Sequence, residues 1–241
     1  MKSTTIALVK RGYENKQLVS QFHRKQPLEL IQFLGSPIPQ ERTAAAKVLG
    51  HLKVKLAITP LCKALGREKA LYSKLAISEA LGNFGTIALP ELIQLLGCIG
   101  KNQHRTLPVK SFQKNSYPLP RDIAARIIIR TGITALPSLE KVLKNGNQLQ
   151  ITEAIDAIGH IAFYSHDQRS LDHLLSCLEH NRNDDIIVWK LIRAFGAFPN
   201  SKTTAYLEKI KDTSKNPTLA HEAKRSLRQL SKNNKHPHKY K

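Results

Sequence analysis

The chain has 241 residues, with 38 lysines and arginines against 18 aspartates and glutamates, for a formal net charge of +20. That excess goes beyond the magnitude of about 2–8 that suits small-domain solubility and favours an anionic partner. No apolar run approaches the ~18 residues of a membrane span, and the Ile6–Val9 stretch is too short for a secretory signal, so a cytoplasmic protein without a membrane span is expected.

Taken in chain order, residues 1–27 are expected to form an N-terminal capping helix segment. From residue 28 a pattern sets in: a small-rich apolar run that ends in a glycine, first seen as Arg42 to Gly50. The same slot recurs at 74–82, 121–129, 151–159, 188–196 and 221–229, with ends spaced 32, 47, 30, 37 and 33 residues apart. Two-helix repeat units have about this size. Pro60, Pro90 and Pro137 open the second helix of three units, where a missing N–H and a preset φ do no harm. Leu89, Leu92, Ile93 and Leu96 follow the i, i+3, i+4, i+7 spacing of a buried helical stripe, as do Leu171, Leu174, Leu175 and Leu178.

The repeat is plainest where residues 80–96 match 127–143, aligning Gly85 with Gly132 and Ala88-Leu89-Pro90 with Ala135-Leu136-Pro137. Strand-type alternation is absent, so the fold class is all-α. The long interval marks residues 101–120 as an insertion, and the polar, basic residues 231–241 are expected to form a disordered tail.

The pattern [Arg/Lys]-x-x-Ala-Ala-x-x-Leu-Gly-x-[Leu/Phe], followed by x-Ala-x-Pro-x-Leu, resembles HEAT repeats, in particular the short HEAT-like type of phycobilin lyases. Arg42, Ala45, Ala46, Leu49, Gly50 and Leu52 carry it in one unit; Lys74, Ala80, Leu81, Gly82, Phe84 and Pro90 carry it in the next. The resemblance implies a right-handed α-α superhelix, a HEAT-like solenoid of about six helix pairs over residues 28–230. It also implies that the helices ending in glycine line the concave side.

Two register positions of those helices are expected to face solvent. Three residues before the reference glycine stand Lys47, Glu79, Arg126, Asp156, Arg193 and Ser226; one residue after it stand His51, Asn83, Arg130, His160, Ala197 and Leu230. Lys47, Arg126, Arg130 and Arg193 make this face a candidate partner-binding surface, which Glu79 and Asp156 interrupt. Arg42, Lys74 and Arg121 share an earlier slot, as braces between repeats or as a polyanion ladder. In the insertion, Lys101, Arg105, Lys110 and Lys114 are interleaved with Phe112 and Tyr117, a mixture suited to phosphate contact with base stacking, or to a solvated loop anchored by its aromatics. Cys62, Cys98 and Cys177 are expected to pack in the core.

No catalytic, cofactor-binding or metal motif emerges. His160, His166, Asp167, Asp172 and His173 cluster in sequence, but Asp172 and His173 point apart on a helix, and Asp167 is expected as a helix-entry cap. The expected function is a monomeric, non-enzymatic scaffold that binds a protein through its concave face and insertion, because the acidic interruptions break a phosphate track. The alternatives are nucleic-acid binding through the loop, ladder and tail, and a lyase-type or chaperone subunit acting on a prosthetic-group-bearing protein.

Overall fold

In the computed structural model, residues 4–109, 112 and 116–233 are described, and they form two compact units, residues 1–99 and 100–241. Among the described residues every regular element is helical. None of these helices is long and apolar enough to cross a membrane.

The first unit comprises α1 (Thr5–Lys10), α2 (Lys16–Phe22), α3 (Pro27–Phe33), α4 (Pro39–Leu52), α5 (Ile58–Arg67), α6 (Leu71–Asn83) and α7 (Leu89–Gln94). The expected capping segment thus holds α1, α2 and the first residue of α3. Thr4 and Asn15 cap α1 and α2 by accepting from Ala7 N and Leu18 N, while prolines open α3 and α4. Helices α4 and α6 pack on alanines 44, 45, 46, 76 and 80, all buried. At their crossing a Cβ on Gly50 would stand 2.5 Å from Ala80 Cα, so only glycine permits this backbone approach.

Buried polar side chains lock the same seam. The Thr43 hydroxyl donates to Gly12 O at 2.8 Å and lies 2.9 Å from Ser73 Oγ. Arg42 donates to both Glu68 oxygens, at 2.7 and 2.9 Å, and to the Ser36 carbonyl. Burial works to raise the Glu68 carboxyl, but the Arg42 guanidinium and the Lys69 and Ala70 amides hold it below its ordinary range.

In the second unit the described residues among 101–122 are non-helical, and the chain continues through α8 (Ile123–Ile128), α9 (Leu136–Asn145), α10 (Gln148–Ser165), α11 (Leu171–His180), α12 (Asp185–Phe195), α13 (Ser201–Thr213) and α14 (Pro217–Asn233). Asp122, Asp184 and Asn200 cap α8, α12 and α13, and Asn147 with Gln150 forms a capping box on α10. Within this unit α8, α10, α12 and α14 lie side by side, as do α9 and α11.

The glycine-register slots fall on or overlap α4, α6, α8, α10, α12 and α14, the third starting at Arg121, two residues before α8, and ending at Ile129 just past it, and Pro60, Pro90 and Pro137 lie in the first turns of α5, α7 and α9. Three expectations are corrected. Cys98 is exposed in the turn after α7, unlike Cys62 and Cys177. Asp167 does not cap α11, which follows Ser170; it accepts from Arg169 N and Nε in the turn before. Helix α14 reaches Asn233, three residues into the expected disordered tail, whose remainder, 234–241, lies outside the described residues.

Candidate binding face and its buried charge chain

In the second unit the expected solvent-facing slots stay exposed at Arg126 and Arg130, His160 is half-buried, and the remaining slots on α10, α12 and α14 are covered. Asp156, Arg193 and Ser226 are 3 %, 4 % and 0 % exposed, and Ala197 and Leu230 are buried too. Part of the cover comes from the insertion, whose described residues reach Gly159 on α10, Trp189 on α12 and Arg225 on α14, while Ser226 packs against Gly196 where α12 meets α14. Tyr117 is buried, and its ring packs on Gly159, where a Cβ would stand 2.0 Å from its hydroxyl. His104 meets the Trp189 ring edge-on at 4.8 Å, and Phe112 lies 5.7 Å from the Arg225 guanidinium.

Under this cover, charges of alternating sign cross three helices. Lys190 on α12 bridges Glu153 at 3.5 Å and Asp156, both on α10. Arg193 lies 3.9 Å from Asp156 and 3.4 Å from Glu222 on α14, and rests 4.0 Å above the Trp189 ring. Arg225 donates to Glu222 at 2.6 Å and to Gln229 Oε1 at 3.0 Å. Three carboxylates and three cations thus balance in the interior, as burial demands. Burial pushes the Glu153 carboxyl up to about 7 against the pull of Lys190. Of these six residues only Asp156 and Arg193 stand at the register positions expected to face solvent. The available signal was opposite charge at equal register on successive repeats, Glu153 with Lys190 and Asp156 with Arg193.

A cavity of about 390 Å³ opens beside the chain. Pro108, Phe112, Pro118 and Leu119 form its apolar wall; Arg121, Arg126, Arg193, Asp156 and His104 supply the polar part. Burial, aided by Lys190, Arg121 and Arg193, pushes the His104 imidazole down to about 3. A larger hollow, about 780 Å³, lies among α11, α12 and α13 and mixes Asp172 and Glu179 with Arg182, Lys202 and Lys209, away from the charge chain.

The other anticipated residues are scattered. Lys101, Arg105, Arg121, Arg126 and Arg130 are exposed, and Arg126 donates to the Pro120 carbonyl at 2.6 Å. Lys47 remains partly exposed and pairs with Glu14, while Lys74 is half-buried and Phe112 likewise. Lys110 and Lys114 lie outside the described residues. In the first unit the register slots do face solvent: Lys47, His51, Glu79 and Asn83 line a hollow of about 320 Å³ with His23. The histidines near 160–173 do not converge, since His160 sits by Tyr117 and His173 by Glu140. Among the described residues no three His, Cys, Asp or Glu side chains are grouped to hold a metal.

His104 also sets a pH response. Its native pKa lies below the unfolded value near 6.5, so the stability it contributes is present above that pH and is lost as pH falls toward 3. Glu153 has the opposite sign, its raised pKa favouring the native state at low pH, so the difference between variants isolates the histidine. The stability advantage of wild type over His104→Asn is expected to shrink by about 1–2 kcal/mol between pH 7 and pH 5 in urea titrations. Parallel curves would assign His104 no such role.

Compared with known proteins, the chain matches no family model, and no curated protein matches it either.

Proposed function

We propose that this chain is a non-enzymatic helical-repeat scaffold of HEAT-like type, wound as a right-handed solenoid, that binds an acidic protein partner. The observation that carries the reading is how the described residues among 101–120 are disposed. Tyr117 and His104 turn inward onto α10 and α12, whereas Lys101 and Arg105 stay exposed, as do Arg121, Arg126 and Arg130 around α8. Exposed cations attract a carboxylate-rich surface at long range and set its orientation. A single nucleic-acid strand is held by stacking on aromatic faces, and the buried Tyr117 ring offers none. The repeated glycine-register helices side by side in the second unit support the solenoid reading.

The test is affinity capture from extract of the source cells, run in parallel with and without nuclease treatment, comparing wild type with Lys101→Glu, Arg105→Glu, Arg130→Glu combined. A specific protein retained by wild type and reduced at least tenfold by the triple reversal is expected. Capture unchanged by the reversal overturns the proposal. Co-purifying nucleic acid that a high-salt wash removes, with no retained protein, replaces it with the nucleic-acid reading.

A further inference from the structure

We propose that the 390 Å³ cavity of the second unit is a binding site for a small phosphate monoester carried on a planar ring. Its volume lies in the range of ligand sites, which join apolar walls to a few placed polar groups. Here three guanidiniums, Arg121, Arg126 and Arg193, face the cavity with a single carboxylate, Asp156. Guanidinium forks match phosphate oxygens in pairs, which an ammonium does not.

The three arginines are held differently. Arg193 is locked between Asp156, Glu222 and the Trp189 ring, so it supplies a fixed field at the cavity floor. Arg121 and Arg126 stand exposed at the mouth, with no ion pair to either among the described residues; Arg126 Nε donates to the Pro120 carbonyl, which leaves its terminal nitrogens for an incoming anion. His104 Nδ1 is buried, and no protein group among the described residues bonds to it. With the imidazole held neutral, this nitrogen offers one hydrogen bond to a ligand without adding charge. Phe112, Pro108 and Leu119 give a planar ring an apolar surface to lie against.

This site does not depend on the protein-binding reading, whose test alters Lys101, Arg105 and Arg130 and leaves the cavity lining intact. Trp189, the single tryptophan of the chain, reports on the site, because its ring touches both His104 and Arg193. The experiment titrates the full chain with adenosine monophosphate, phenyl phosphate, inorganic phosphate and adenosine, following tryptophan emission excited at a wavelength the ligands do not absorb, with calorimetry alongside.

Saturable binding of both ring-bearing phosphates is expected, at least tenfold tighter than inorganic phosphate, and none by adenosine. If adenosine monophosphate exceeds phenyl phosphate, the source is a nucleotide; equal affinities point to any aryl phosphate. Arg121→Gln with Arg126→Gln should weaken binding at least tenfold while lowering the thermal midpoint only slightly, since both side chains are exposed and only the Arg126 bond to the Pro120 carbonyl is lost. Absence of saturation at millimolar ligand, binding of adenosine as tight as that of its phosphate, or undiminished affinity in the double variant overturns the proposal.

Discussion

Gly159→Ala is expected to eject Tyr117 and with it the insertion, costing the second unit about 2–4 kcal/mol. The added methyl would stand 2.0 Å from the tyrosine hydroxyl and 2.6 Å from Cζ, distances no rotamer change of a fully buried ring relieves. Overpacking alone costs about 1–3 kcal/mol, and surrendering a buried aromatic about 3–5. Alanine's better helix propensity returns about 1 kcal/mol. Urea denaturation measures the loss, and faster protease cleavage within 101–120 should accompany it. The cycle with Tyr117→Ala is decisive: once the ring is gone, Gly159→Ala should cost little further. An equal cost in both backgrounds would place the problem in the 3.1 Å approach to Ala194 Cα on α12 instead.

Lys190→Met should be as damaging, about 3–5 kcal/mol at pH 8. It leaves Glu153 and Asp156 facing each other with no ammonium between them, both almost wholly buried. Each carboxyl then gains a reason to hold a proton. Because a native pKa raised above the unfolded value favours the folded state at low pH, the defect should shrink markedly between pH 8 and pH 5. Adding Glu153→Gln and Asp156→Asn to Lys190→Met should restore most of the loss, since buried pairs stabilise little relative to neutral, well-packed replacements. A pH-independent defect would mean that the loss does not come from the two carboxylates left without their ammonium.

The helical class and the helix positions were legible in the sequence because both follow from local rules. Proline in a first turn, leucines at helical spacing and a small residue at each close crossing need no knowledge of distant segments. Gly50 against Ala80 shows this well. What was not legible was the cover over α10, α12 and α14. Register places Asp156, Arg193 and Ser226 on a helix face, but it does not say that a segment some forty to a hundred residues earlier in the chain (about the span from Tyr117 to these positions) lies on that face. For the same reason Tyr117 and Phe112 could be read equally as ligand contacts or as anchors. Cys98 misled because its helix ends at Gln94, before the apolar spacing does.

The seating of the insertion has a consequence during synthesis. Residues 101–117 leave the ribosome before α10, α12 and α14 exist, and the last surface they need, around Arg225, follows on the order of ten seconds later at ordinary elongation rates. Through that interval Tyr117 waits for α10, His104 for α12 and Phe112 for α14. The basic residues among them, Lys101 and Arg105, keep the nascent segment hydrated and mutually repelled until its platform arrives. The charge that stays exposed in the folded unit thus first serves to hold the chain open for its own completion.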